Sequence, residues 1–298
     1  MRLSLGTAQF GLDYGITNSH GQVSPAQVEA VLETALTRGI TDIDTAAAYG
    51  NAEAVLASSH VDFQAFDITS KIPALSGLTL PQALSTIEAS VCTSAEHLGP
   101  SLNSILFHSA ADVLGPEGLL YWQKLEDVAA QYGAQHIGVS IYDSGDVAAL
   151  LKRVTPSAVQ LPINVLDQRL LLDGTLETLT ARGVHVQARS VFLQGALLSV
   201  PATLPGPLRA LEGTLTALNT AAKDNGCEVM DLCLGFLKLT GLLESAVVGV
   251  TNAAELIMIC DAMERPVAAL PYQNFSVCEP TLIDPRYWSN PQQRRQST

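Results

Sequence analysis

Short apolar runs alternate with longer amphipathic stretches from one end of the chain to the other. The runs predict strands at residues 3–7, 41–45, 66–72, 104–108, 136–140, 158–162, 185–189 and 246–250. Several are rich in Val and Ile with little polar alternation, the pattern of a parallel sheet covered on both faces. The stretches between them carry helix-end signals. Ser24-Pro25 places a capping hydroxyl ahead of a proline at the first helical position, and Gly39 follows Arg38 at the other end. Residues 81–97 predict a helix stopped by Gly99-Pro100, residues 144–154 another, residues 175–182 one that ends at Gly183, and residues 252–263 one after the last strand. Between 204 and 241 two helical patterns stand where a simple repeat needs one, so 208–223 is read as an insertion ahead of a helix at 228–239.

Strand and helix alternating in this way predict an α/β fold, a (β/α)8 TIM barrel in one domain over 1–298, with an open doubly wound sheet as the competing arrangement. From about residue 266 prolines and aromatics break the pattern, which predicts an irregular tail packed on the barrel. The polar residues 290–298 predict a frayed end.

Composition narrows the function. Of 298 residues, 47% are hydrophobic and 15% charged, enough for a large buried core. The net charge of −13 argues against nonspecific binding to nucleic acid or to an anionic membrane. The five cysteines form no C-x-x-C pair, which predicts reduced thiols. With no apolar leader and no run long enough to span a bilayer, a cytoplasmic protein is expected. None of the six histidines stands in H-x-x-x-H or H-E-x-x-H spacing, so no metal site is expected. There is no G-x-S-x-G elbow and no P-loop.

The candidate chemistry lies at strand ends. Asp44 ends the second predicted strand, with Tyr49 just beyond it, while Lys71 and His108 end the third and fourth. In a parallel barrel these ends meet at one rim, where catalytic groups collect. A tyrosine beside a lysine, a carboxylate and a histidine is a general-acid arrangement. The ammonium is expected to lower the phenol's pKa, Asp44 to hold the lysine, and His108 to orient a carbonyl. Such a group protonates a carbonyl oxygen as hydride reaches its carbon. The hydride itself needs a cofactor.

At these residues the sequence resembles the aldo-keto reductase family. The resemblance runs from Leu5-Gly6-Thr7-Ala8-Gln9-Phe10-Gly11 through Asp42-Ile43-Asp44-Thr45-Ala46 with Tyr49-Gly50, Ser70-Lys71, His108, Ile137-Gly138-Val139-Ser140 and Gln160 to Asn164. It continues through Arg189-Ser190 with Gln194-Gly195-Ala196-Leu197 to Val247-Val248-Gly249-Val250. It implies a barrel that binds an extended nicotinamide dinucleotide and reduces a small aldehyde, ketone or sugar, or oxidises the alcohol, with Tyr49 as proton donor. It assigns Ser140 and Gln160 to the nicotinamide carboxamide, the Ser190, Phe192, Gln194 and Gly195 loop to the pyrophosphate, and Gly249 to the adenosine phosphate end. Gly6, Thr7, Asp44, Thr251 and Asn252 complete the implied cofactor contacts.

Three positions depart from the common pattern. Ile141 stands where relatives carry an Asn. Arg189 replaces an aromatic platform for the nicotinamide, and its guanidinium plane is expected to stack in its place. After Gly249 the helix carries no Lys or Arg through Ile257, and Ile259 replaces an adenine-contacting Asn. By resemblance NADP(H) is expected ahead of NAD(H). The alternatives are a dinucleotide-binding regulatory or sensor barrel with little turnover, and a barrel isomerase or lyase. Arg169 is expected in a surface ion pair, and Trp288 against the barrel exterior.

Overall fold

The computed structural model describes residues 1–18 and 20–288; the predicted frayed end at 290–298 lies outside the described residues. Eight parallel strands follow one another around a closed barrel: β1 (Arg2–Gly6), β2 (Asp42–Asp44), β3 (Asp67–Ile72), β4 (Leu102–Phe107), β5 (His136–Ser140), β6 (Ala158–Pro162), β7 (His185–Arg189) and β8 (Ser245–Gly249). The pairing that excludes an open sheet is β1 with β8, in register from Arg2 opposite Ser245 to Gly6 opposite Gly249. The (β/α)8 expectation is therefore correct.

The strand faces divide by chemistry. Leu5, Ile43 and Ile68 stand side by side in register, fully buried, in the core shared with the helices. The alternate positions reach across the barrel interior. Lys71 bonds Asp44, Gln160 bonds Asp44, and the Gln187 amide approaches the Thr69 hydroxyl at 3.5 Å. One face of each strand thus builds the core, while the other supplies a polar interior that opens at the C-terminal rim.

The surrounding helices are α1 (Pro25–Thr37), α2 (Ala52–Ala57), α3 (Leu80–Leu98), α4 (Gly118–Gln131), α5 (Ser144–Leu150), α6 (Thr175–Thr180), α7 (Glu212–Asp224), α8 (Val229–Thr240) and α9 (Ala253–Glu264). Ser24 caps α1 in a capping box with Gln27, as its sequence predicts. Several boundaries differ from expectation. β1 ends at Gly6 because the Thr7 N–H and hydroxyl both turn to the Asp44 carbonyl, at 2.9 and 3.1 Å. β4 starts earlier than 104 and ends at Phe107, leaving His108 as the first residue past the strand. β8 likewise ends one residue early, at Gly249.

α5 stops at Leu150 rather than 154, ahead of Thr155-Pro156, which disfavours helix. α6 stops at Thr180, with Gly183 turning the chain at φ 73°. The insertion begins as a 3-10 turn at Gly206–Leu211 beside Pro205 and Pro207, and becomes α-helical only from Glu212. α4 buries Tyr121, Trp122, Leu125 and Val128. Its exposed Leu119 and Leu120 blur the periodicity that would announce it.

The tail bonds back to the segment after β6. The Val277 N–H bonds the Leu166 carbonyl at 2.8 Å, and the Gln168 amide bonds the Tyr272 carbonyl at 2.8 Å. Trp288 is buried, with its indole N–H on the Thr281 carbonyl at 3.0 Å. Arg169 forms a two-point ion pair with buried Asp167, both bonds 2.8 Å.

Candidate active site

A cleft of about 530 Å³ opens at the C-terminal rim, and every sequence-predicted site residue except Lys71 and Asn252 lines it. Lys71 lies beneath, only 1% exposed. Its ammonium donates to Asp44 Oδ1 and Oδ2 at 2.7 Å each and to the Thr45 carbonyl at 2.9 Å. A lysine has three protons to donate, so all are engaged.

Tyr49 is set above this pair by backbone alone. Thr45 and Ala47 continue β2 by bonding the Thr69 and Lys71 carbonyls at 2.8 and 3.0 Å, and Tyr49 then turns back to the Ala46 carbonyl at 2.9 Å. Two glycines let the turn pass against the loop after β1. A Cβ on Gly11 would run into the Tyr49 carbonyl, and one on Gly50, at φ 59°, into the Gly11 carbonyl. The His108 ring meets the Tyr49 ring edge-on, with centroids 5.8 Å apart.

The electrostatics revise one expectation. Lys71 was expected to lower the Tyr49 pKa, but its Nζ sits 5.2 Å from the ring centroid with its protons spent elsewhere. The phenol is instead held above its ordinary value, by burial first and the Asp44 carboxylate second, with Arg189 opposing. Burial pulls the Lys71 ammonium below its ordinary value, and Asp44 resists. His108 is pushed down to about 3 by burial, then by the charges of Lys71 and Arg189. It is a neutral imidazole at physiological pH, with one N–H to donate and one bare nitrogen. The arrangement therefore holds a fully protonated phenol beside a neutral histidine, above a neutralised ion pair. Such a set can give a proton to an oxygen that becomes basic.

A sequence model described as Aldo/keto reductase family matches residues 2–274. The chain belongs to the aldo/keto reductase family. Membership supports an oxidoreductase that works with a nicotinamide cofactor. An aldo-keto reductase from Bacillus halodurans in its holo form superposes with a TM-score of 0.71 at 17% identity, over 92% of this chain and 90% of that one. A thermostable aldo-keto reductase in complex with the inhibitor epalrestat gives 0.68 at 21% identity, over 92% and 93%. At such identities these likenesses show the fold alone. No curated protein matches the chain. Among the described residues, no helix is long and apolar enough to cross a membrane, and no group of three or more His, Cys, Asp or Glu is placed to hold a metal.

The rest of the aldo-keto reductase cleft is lined by the segments after β1, β7 and β8. At one wall the loop after β7 carries Ser190, Leu193 and Gln194 at φ 58°, 49° and 54°, in the left-handed region that costs about 1 kcal/mol or more per non-glycine residue. Gly195 follows at φ 90°, and a Cβ there would strike the Thr17 hydroxyl. Asn164 holds the start of this loop through the Ser190 carbonyl at 3.0 Å. After β8 a Cβ on Gly249 would meet the Gln9 side-chain amide at 2.7 Å, so a larger residue there would push Gln9 aside.

Some predicted contacts are otherwise engaged. The Gln160 amide nitrogen bonds Asp44 at 2.6 Å and Gln187 at 3.3 Å, which leaves its carbonyl oxygen for a ligand. Asn252 caps α9 through the Glu255 N–H at 3.0 Å, and this is why it does not reach the cleft. Arg189 stacks not on open space but on Tyr142, 3.9 Å from its ring centroid, with Nη2 on the Ile141 carbonyl at 2.9 Å.

Among the lining residues that escaped the sequence reading are Tyr14, Tyr142, Glu255 and Arg286. Tyr14 and Tyr142 lie a few residues past β1 and β5, so the rim rule that found Tyr49 would have found them. Tyr14 accepts from the Gln194 amide at 3.2 Å, and burial raises its phenol above the ordinary value. Glu255 turns back to the Thr251 N–H and hydroxyl at 2.7 and 2.9 Å. Arg286 arrives from the tail, where no local pattern marks it.

Proposed function

We propose that this aldo-keto reductase, as one domain over 1–298, transfers a hydride between a nicotinamide dinucleotide and a small aldehyde, ketone or sugar, with Tyr49 exchanging the proton. The observation that carries the reading is the protonated Tyr49 phenol at the rim, beside neutral His108 and above the Asp44–Lys71 pair. A bound nicotinamide supplies the hydride. The His108 N–H orients the carbonyl oxygen toward the phenol. Tyr49 gives its proton to that oxygen as negative charge builds on it, a contribution of about 10² to 10⁴ in rate. Asp44 and Lys71 fix the floor beneath the ring and keep a bare charge from facing the substrate. In the oxidative direction Tyr49 takes the proton back.

Ser140 and the Gln160 carbonyl oxygen are assigned to the carboxamide. The β7 loop of Ser190, Phe192, Gln194 and Gly195 is assigned to the pyrophosphate, with Gly6, Thr7, Gly249 and Thr251 along the floor. Arg189 keeps its place beside them through Tyr142. Family resemblance puts NADP(H) first, but Glu255 supports NAD(H). Its carboxylate lines the cleft against Thr251, and residues 250–264 supply no Lys or Arg. A 2′-phosphate needs charge-assisted donors and meets an acid there, whereas a ribose hydroxyl finds an acceptor.

The reading is tested by following NADH and NADPH oxidation over a panel of aldehydes, ketones and aldoses. Turnover that disappears in Tyr49→Phe supports it. Turnover that persists in that variant removes Tyr49 from the chemistry.

A further inference from the structure

Of the Lys and Arg side chains in and beneath the cleft, all but one have a carboxylate partner among the described residues. Lys71 is matched by Asp44. Arg286 is matched by Asp284, only 2% exposed, through bonds of 2.6 to 3.1 Å. Arg189 has no carboxylate partner among the described residues, although it is half-buried in the cleft wall. Its Nη2 meets a neutral carbonyl, that of Ile141, and its Nε is buried without any acceptor. The guanidinium is nonetheless held in one place, because it packs on the Tyr142 ring, which Arg286 also meets 3.4 Å from the same centroid. Two cations meet one phenol ring, and a buried acid offsets only one of them.

The unmatched charge stands close to the chemistry. Arg189 ends β7 on the rim shared with Tyr49 and His108, and its field acts on both of them. A half-buried cation without a counter-ion is costly to desolvate, and an anion brought by a ligand offsets that cost. Among the described residues nothing accepts from the Nη1 donors or the second Nη2 proton of the planar guanidinium, a geometry that suits carboxylate or phosphate oxygens. Elsewhere the chain is strongly acidic, with a net charge of −13, so a retained cation at this position selects rather than follows the average.

We propose that Arg189 binds the anionic group of the substrate, so that the preferred substrates are carbonyl compounds carrying a carboxylate or phosphate. This rests on the hydride-transfer reading for its site and adds the substrate class. The same oxygens could come from the dinucleotide pyrophosphate, and the test separates the two sources.

Matched pairs provide the probe: 4-oxobutanoate against butanal, and glyceraldehyde 3-phosphate against glyceraldehyde. In the wild-type enzyme kcat/KM for the charged member should exceed that for the neutral member by roughly tenfold or more, the scale of one charge-assisted contact. The ratio within each pair should fall to about one in Arg189→Gln and remain raised in Arg189→Lys. Calorimetric binding of the same pairs to the dinucleotide-loaded protein should show the same ratios. Selective binding without turnover leaves the substrate class standing and removes hydride transfer. Equal ratios in wild type and Arg189→Gln overturn the proposal. So does a variant that only weakens the NADH dissociation constant, since the cation then serves the cofactor.

Discussion

The Lys71 ammonium meets both oxygens of the Asp44 carboxylate at 2.7 Å, inside a barrel wall where Lys71 is only 1% exposed. With the Thr45 carbonyl as third acceptor, the lysine is a foundation for the Tyr49 ring rather than a proton relay to its hydroxyl. Removing one partner of such a pair strands the other. Lys71→Met should cost about 3–5 kcal/mol in urea unfolding, and the double variant with Asp44→Asn should recover part of that loss. A loss under about 1 kcal/mol in Lys71→Met would show that the pair is well hydrated.

His108 makes a prediction about pH. Its folded-state pKa is lowered to about 3 from the ordinary 6.5, so the unfolded chain binds this proton more readily than the native one. Stability from this site is complete above the unfolded value and declines as pH falls from about 6.5 toward 3. Urea midpoints between pH 7 and 5 should fall less in His108→Gln than in the parent. The pH profile of kcat/KM should show no His108 ionisation near neutrality in the free enzyme. A limb near 6.5 that disappears in His108→Gln would contradict a neutral, buried imidazole.

Gly11 touches no predicted ligand, yet it should matter for catalysis. Its missing Cβ is the space occupied by the Tyr49 carbonyl. Gly11→Ala should displace the Tyr49 turn, lowering kcat together with about 1–3 kcal/mol of stability, the usual cost of overpacking. Unaltered kcat and melting temperature would show that the two loops separate freely.

Glu255 sets the cofactor prediction. Wild-type protein should bind NADH more tightly than NADPH, by roughly tenfold if one repulsive charge decides it. Glu255→Lys should move the ratio of the two dissociation constants toward NADPH, read by fluorescence titration. A wild-type preference for NADPH would return the choice to the family's common pattern.

Much of this site was legible because a barrel gathers strand ends. Asp44, Tyr49, Lys71 and His108 announce themselves by residue type at the ends of apolar runs, and the alternation of those runs implies the common rim. Three facts were not legible. Arg286 reaches the cleft only because the tail folds back by long-range packing, with nothing local to mark it. Glu255 reads as an ordinary first-turn acid until its side chain turns back to Thr251. The expected effect of Lys71 on Tyr49 failed because residue type fixes how many protons a lysine has, but not which acceptors take them. Arg189 was expected as a plane for stacking, and it stacks, but on Tyr142.

Tyr49 is proposed to exchange the proton that accompanies hydride transfer. The direct measurement compares Tyr49→Phe with the parent for two quantities in one preparation: turnover of a carbonyl substrate, and the dissociation constant of NADH. Turnover should fall by about 10² to 10⁴ while NADH binding stays near the parent value. Undiminished turnover with intact NADH binding would contradict that role for Tyr49.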